Sequence, residues 1–205
     1  MSYRLEKKFI IDTRMYQNFT NYLKVINANK IYEKRRIFST YFDNDFFSSY
    51  NESEEGTIPR KKIRIRSYDT DIHSNNAKLE IKISSENNRF KKTENIKDAI
   101  LLQRFLSKGL TDKSYGHCKA VLDVSYDREY YQINEQRITV DKNICYWQHK
   151  KDKKKFYEPL SIVEFKSDID SDLNQLNSII SSSISRFSKY CRGMNKVFFN
   201  IKNYG

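Results

Sequence analysis

Glycine and proline are scarce in this chain, at 5 and 2 of 205 residues, so it has neither a Gly-rich phosphate loop nor a Pro/Gly-rich linker. Cysteine is scarce too. Cys118, Cys145 and Cys191 are odd in number and have no metal-ligand spacing, which argues against a disulfide framework and suits a reducing compartment. His73, His117 and His149 lie too far apart to suggest a zinc site. No apolar run is long enough for a membrane span or the core of a signal peptide, and the expected location is cytoplasmic. There is no Walker-type loop, kinase signature or nucleophile elbow. Recognition-helix, zinc-finger and RNA-binding motifs are absent as well.

What the chain does have is charge and alternation. Lys and Arg total 38 against 26 Asp and Glu, a net +12, which points to an anionic partner: nucleic acid, a membrane surface or a phosphorylated ligand. The dominant pattern has period two, as in a strand with unlike faces. Tyr3 to Ile11 predicts a strand with Arg4, Glu6 and Lys8 on one face. Asp12 or Thr13 then caps a helix carrying Met15, Phe19, Tyr22, Leu23 and Ile26. Ile31 to Phe42 predicts a second strand, and Asp45 to Asn51 a short helical turn.

The clearest strands follow. Lys62-Ile63-Arg64-Ile65-Arg66 puts every basic residue on one face, and Leu79-Glu80-Ile81-Lys82-Ile83 pairs Glu80 with Lys82; the polar stretch Asp69 to Asn76 connects them. Arg89 to Thr93 predicts a further strand, and Ile96, Ile100, Leu101 and Phe105 a helical stripe. Val121 to Tyr131 places Tyr126 and Arg128 together. Arg137 to Asp141 alternates, with Ile144 to Gln148 beside it, and the basic run Lys150 to Lys155 reads as a solvated loop. Ile162 to Lys166 puts Glu164 with Lys166. Leu173, Leu176, Ile179 and Ile180 form another helical stripe, and Phe187 to Phe199 a last helix.

An ordinary half-exposed sheet would give the same alternation on any single strand. Two features favour an enclosure. Arg64, Arg66, Arg128 and Arg137 offer planar forks that match phosphate oxygens, where Lys or Thr would serve a solvated face equally well. Glu80 with Lys82 and Glu164 with Lys166 set an acid beside a base on strands far apart in sequence, and closing the sheet would gather such pairs. The expectation is one domain over residues 1–205 of α+β class: an antiparallel β-barrel, basic inside, with helices packed outside. A basic module for nucleic acid is the competing reading, with 15 Tyr and 13 Phe as stacking platforms. Those aromatics fall in apolar stripes rather than among the Arg positions, so nucleic acid is not the expected partner.

The order and spacing of these segments resemble the VTC domain, the polyphosphate polymerase branch of the triphosphate tunnel metalloenzymes, to which the CYTH proteins also belong. The resemblance rests on Glu6-Lys7-Lys8-Phe9, Thr40-Tyr41-Phe42-Asp43, Lys62 to Arg66 and Leu79-Glu80-Ile81-Lys82. Further on it rests on Val124-Ser125-Tyr126-Asp127-Arg128, Arg137 to Asp141, Val163-Glu164-Phe165-Lys166 and Ser188-Lys189-Tyr190. It implies that Lys8, Arg64, Arg66, Lys82, Arg128 and Lys189 hold phosphates, assisted by Tyr126 and Ser188, with Lys91 (preferred to Lys92) a further basic ligand. Glu164 matches the carboxylate that binds a divalent metal, Mn2+ or Mg2+, with Glu6 and Glu80 as supporting acids. The catalytic set implied is Lys8, Arg64, Arg66, Lys82, Arg128 and Glu164.

The chain departs from typical CYTH phosphatases and cyclases at Arg4, which stands where their Glu-x-Glu-x-Lys strand has its first acid. That suits a polymerase and a metal site with few protein ligands. The implied reaction is ATP-dependent transfer of a γ-phosphoryl onto inorganic polyphosphate. The alternatives are hydrolysis of tripolyphosphate or nucleoside triphosphate, and a non-catalytic polyphosphate sensor. The phosphoinositide-binding domain and membrane segments of eukaryotic relatives are not in this sequence. Peripheral attachment at the inner face of a membrane would therefore require a separate membrane protein partner.

Overall fold

A computed structural model describes residues 5–68, 77–86, 89–134, 136–167 and 185–200. Arg4, His73, the connection Asp69 to Asn76 and the stripe Leu173, Leu176, Ile179 and Ile180 lie outside the described residues. Among the described residues there are ten strands and four helices. In chain order they are β1 (Leu5–Ile11), α1 (Thr13–Val25), β2 (Asn29–Asp43), α2 (Ser48–Glu55), β3 (Arg60–Ser67), β4 (Ala77–Ser84) and β5 (Arg89–Ile96). Then come α3 (Ala99–Lys108), β6 (Leu110–Asp112), β7 (Gly116–Ile133), β8 (Gln136–Gln148), β9 (Lys151–Tyr157), β10 (Ser161–Ser167) and α4 (Lys189–Val197).

Hydrogen-bonded strands follow the order β1-β10-β8-β7-β2-β3-β4-β5, with β6 paired to β7 and β9 to β8. The registered pairs β1–β10, β10–β8, β2–β3, β3–β4, β4–β5 and β6–β7 are antiparallel, as the alternation predicts. The described pairings form a path from β1 to β5. A ladder closing these two ends into a barrel is not among them.

The chain gathers into two compact units. The first comprises Met1–Arg35, Tyr126–Ile144 and Tyr157–Phe187, and the second Arg36–Ser125, Cys145–Phe156 and Ser188–Gly205. The core of the first unit is the apolar face of its strands, with Phe9, Ile11, Ile138, Val140, Val163 and Phe165 packed against Phe19 and Leu23 of α1. Asp12 starts that helix by accepting a hydrogen bond from the Met15 amide at 2.7 Å, satisfying a donor that the first turn leaves unpaired. Burying Phe19 and Leu23 stabilises the arrangement by about 1.5–3 kcal/mol each.

In the second unit Phe42, Ile63, Ile65 and Ala77 form the apolar face, covered by Leu102 and Leu106 of α3. The predicted α3 stripe is offset from the real one. Ile96 belongs to β5 and Ile100 is exposed, because the run Ile100-Leu101-Leu102 fits a helical face in more than one phase. The basic segment expected to be a loop is instead β9, paired to β8. Cys118, Cys145 and Cys191 are buried and none forms a disulfide.

α1 and α3 cover apolar faces, in keeping with helices on the outside of the sheet. α4 adds something the sequence pattern did not contain. Its Tyr190 ring stacks on Tyr41, centroids 4.9 Å apart and planes 22° apart. Tyr41 is in register with Arg64, so α4 sits against the charged face of β3. Gly193 lets the same helix lie close to β7 and β8: a Cβ there would lie 2.6 Å from Leu122 Cδ2 and 2.7 Å from Tyr146 Cδ1. Asp43 ties the same region together, accepting from the Ser49 and Tyr50 amides of α2 and from the Tyr190 hydroxyl at 3.0, 3.0 and 2.5 Å.

Candidate functional site

The charged face of the second unit is built on β3, β4 and β5. Strand register puts Arg64 opposite Glu80, and Lys62, Lys82 and Lys91 in one cross-strand row. On these strands, among the described residues, Glu80 is the one carboxylate on that face. It is buried and receives Arg64 through Nε at 2.8 Å and Nη2 at 2.5 Å, and Lys91 at 2.5 Å, with Arg66 Nη1 at 3.8 Å. Burial alone would raise the Glu80 pKa; Arg64 and Arg66, with hydrogen bonds from Lys91 and Arg64, outweigh it and hold the group well below the usual carboxylate range. Arg64 Nη1 also donates to the Tyr41 hydroxyl at 3.1 Å. Burial would raise that phenol as well, yet Arg64, Arg66 and nearby Lys189 bring it below its ordinary value.

The three-lysine row is costly by itself, because like charges directly opposite on a sheet destabilise it. Lys82 and Lys91 are both exposed. Lys62 donates to Ser188 Oγ at 2.9 Å, which brings the start of α4, Ser188 and Lys189, to this face. Of the two candidates on β5, Lys91 shares the Arg64 face while Lys92 pairs with Glu94 at 2.6 Å on the other.

The first unit has its own charged face, on β1, β10, β8 and β7. Lys8, Glu164 and Thr139 form a cross-strand row. Lys8 Nζ is 3.0 Å from Glu6 and 3.8 Å from Glu164, and it donates to the Phe187 carbonyl at 3.4 Å. Lys166 is 2.8 Å from Glu164. Burial would raise the Glu164 pKa, but Lys166, Lys8 and Arg128 together lower it well below the usual carboxylate range. The Glu6 pKa is also lowered: burial and Glu164 raise it, and Lys8 and Lys166 outweigh them. Arg128 grips Asp141 with Nε at 2.5 Å and Nη2 at 2.7 Å, its guanidinium 5.3 Å from the Tyr126 ring centre.

The structure therefore places Lys8, Tyr126, Arg128 and Glu164 together in one unit, and Arg64, Arg66, Lys82, Lys91, Ser188 and Lys189 together in the other. Sequence reasoning did not pick out Tyr41, Lys62, Thr139, Asp141 or Lys166 as site residues. Each stands on a charged face at an alternating position, and that phase was the signal available for finding it.

Both faces suit phosphate: forked guanidiniums and ammonium groups, partly neutralised by buried carboxylates, with cations in excess. The profile of the VTC domain matches residues 3–198 of the sequence. The chain belongs to the VTC domain family. A search of curated protein sequences gave no match. Among solved structures, an adenylate cyclase candidate from Bacillus halodurans is similar with a TM-score of 0.62 and 12% identity, covering 97% of this chain and 100% of that one. An adenylyl cyclase candidate from Hippeastrum, described as revealing a dominant triphosphatase activity, has a TM-score of 0.59 and 12% identity, covering 96% of this chain and 97% of that one. The Schizosaccharomyces pombe Mediator head module is similar at a TM-score of 0.52 and 9% identity, covering 89% of this chain and 96% of that one. At such identities these likenesses show a shared fold.

Among the described residues no three His, Cys, Asp or Glu side chains converge as a metal cage. Glu6 and Glu164 nonetheless interact electrostatically across Lys8, and a magnesium-like cation is commonly held by one or two carboxylates plus phosphate oxygens and water. The donor set of this VTC domain fits such a cation. No helix among the described residues is long and apolar enough to cross a membrane.

Proposed function

We propose that this VTC domain is a polyphosphate polymerase, transferring the γ-phosphoryl of ATP to an inorganic polyphosphate chain. The observation that supports the reading is geometric: the charged-face carboxylates are engaged by cations, Glu6 by Lys8, Glu80 by Arg64 and Lys91, and Glu164 by Lys166. Glu6, Glu80 and Glu164 all have lowered pKa values, and each lies beside cations. Such groups are poor general bases at neutral pH, where a base works best with a pKa near the operating pH. Hydrolysis would benefit from a base to deprotonate water. A phosphate oxygen at the end of a polyphosphate is already anionic and needs none.

The residues divide the work by type. Arg64, Arg66, Lys82 and Lys91 hold phosphates on one face, with Ser188 and Lys189 supplying a donor and a charge at the start of α4. Lys8 and Arg128 hold phosphates on the other, with Tyr126 packed on Arg128. The acceptor oxygen attacks the γ-phosphorus, the bond from that phosphorus to the leaving oxygen breaks, and ADP departs with the electron pair. Phosphoryl transfer of this kind relies on positioning and charge neutralisation. Glu164, with Glu6 beside it, would hold Mn2+ or Mg2+. The chemistry supplied by a bound cation is neutralisation of charge on phosphoryl oxygens.

The test is to incubate the protein with ATP and Mn2+ and quantify ADP and free phosphate separately. ADP well in excess of free phosphate supports transfer to phosphate. Equal amounts would make the domain a hydrolase, and binding with neither product would make it a polyphosphate sensor. A separate membrane protein partner belongs to the same proposal, and co-purification with membranes would test it.

A further inference from the structure

Thr139 lies in the middle of the charged face of the first unit. Its neighbours in sequence, Ile138 and Val140, point into the apolar core, so its own side chain points the other way. It is in register with Glu164 on β10, two residues from Asp141, which Arg128 grips. The residue is 5% exposed, and its hydroxyl has no hydrogen-bond partner among the described residues. A buried hydroxyl without a partner is unusual, because it loses water and gains nothing in return. Other polar side chains on this face are engaged: Glu164 with Lys166 and Lys8, Lys8 with Glu6, Arg128 with Asp141.

A β-branched residue is expected here for strand propensity, and Val would satisfy that with no unpaired group. Thr retains a proton that needs an acceptor. Glu164 is its cross-strand neighbour, yet that carboxylate does not reach the hydroxyl. The nearby cations favour an anionic acceptor brought in from outside.

We infer that the Thr139 hydroxyl is a further ligand-binding group, donating a hydrogen bond to a phosphoryl oxygen of a bound linear polyphosphate. The inference rests on the reading of this face as a phosphate site, and adds to it a neutral donor that complements the charged ones. A hydroxyl discriminates by geometry where ammonium groups act mainly by charge, so it would fix the register of one phosphate in the chain.

The experiment compares wild type, Thr139→Val and Thr139→Ser for binding of tripolyphosphate in EDTA by calorimetry, together with the Tm of each ligand-free protein. Loss of a hydrogen bond to a charged acceptor predicts about ten-fold or more weaker binding by T139V, with T139S close to wild type. The ligand-free Tm of T139V should be unchanged or about 2 °C higher, since an unpaired buried hydroxyl is removed. Binding by T139V equal to wild type overturns the inference and leaves the phosphate site standing. A lower ligand-free Tm for T139V also overturns it, because the hydroxyl would then be partnered without ligand. If wild type itself binds no tripolyphosphate, the phosphate reading and the inference fall together.

Discussion

Replacing Glu80 by Gln keeps the shape of the side chain and removes the charge on which the second unit's cations converge. Glu80 is 1% exposed and lies 2.5 Å from both Arg64 Nη2 and Lys91 Nζ. Removing one partner of a buried ion pair costs about 3–5 kcal/mol, and Gln, which still offers one carbonyl oxygen, should fall near 3 kcal/mol. For a chain of this size that corresponds to a Tm lower by about 6–12 °C. Tripolyphosphate should then raise the Tm of E80Q more than that of wild type, because the ligand no longer competes with Glu80 for Arg64 and Lys91. The assay is thermal unfolding at low salt, with and without tripolyphosphate. Acid titration adds a second arm. The folded pKa of Glu80 is depressed, so its stabilisation is fully present above the unfolded carboxylate value near 4.3 and is lost as pH falls through the folded value. Wild type should therefore begin to lose its advantage over E80Q below about pH 4 and go on losing it as the pH falls further. An E80Q protein as stable as wild type at pH 7, or one that gains no more from tripolyphosphate, would refute the reasoning.

Three further outcomes are expected. Glu164→Gln should lower metal-dependent ATP turnover by about 100-fold or more, measured as ADP release; unchanged turnover would remove Glu164 from the metal site. Arg64→Ala should weaken tripolyphosphate binding about 10- to 100-fold by calorimetry, and R64K should restore only part of it because Lys lacks the fork; unaltered affinity would sink that assignment. Gly193→Ala should destabilise by about 1–3 kcal/mol in denaturant unfolding, since its Cβ would crowd Leu122 and Tyr146; a neutral result would show that α4 is seated less closely on β7 and β8.

Period-two alternation made the two charged faces legible before any coordinates, since Ile63 and Ile65 must bury and Arg64 and Arg66 must then point away. It gave the phase of each residue but not its partner. That Arg128 would find Asp141, or Arg64 find Glu80, depends on strand order and register, which a single strand does not encode. The α3 stripe was misread because Ile100, Leu101 and Leu102 are equally apolar, and only packing against Ile63 and Ile65 selects Leu102. The β9 segment hid its pairing with β8 because a basic run looks alike in a loop and on an outer strand. The position of α4 was invisible for a different reason. Tyr190, Cys191 and Met194 make an apolar stripe that would suit either side of a sheet, and the Tyr41 ring provides its seat on the charged one.

The central claim is that the γ-phosphoryl of ATP goes to a phosphate chain rather than to water. It is tested most directly by supplying γ-32P-labelled ATP with Mn2+ and separating the labelled products by length. Label in a ladder of phosphate chains that lengthens with time, and shortens to background in E164Q, is the predicted result. Label appearing only as free phosphate from the earliest time point would contradict it.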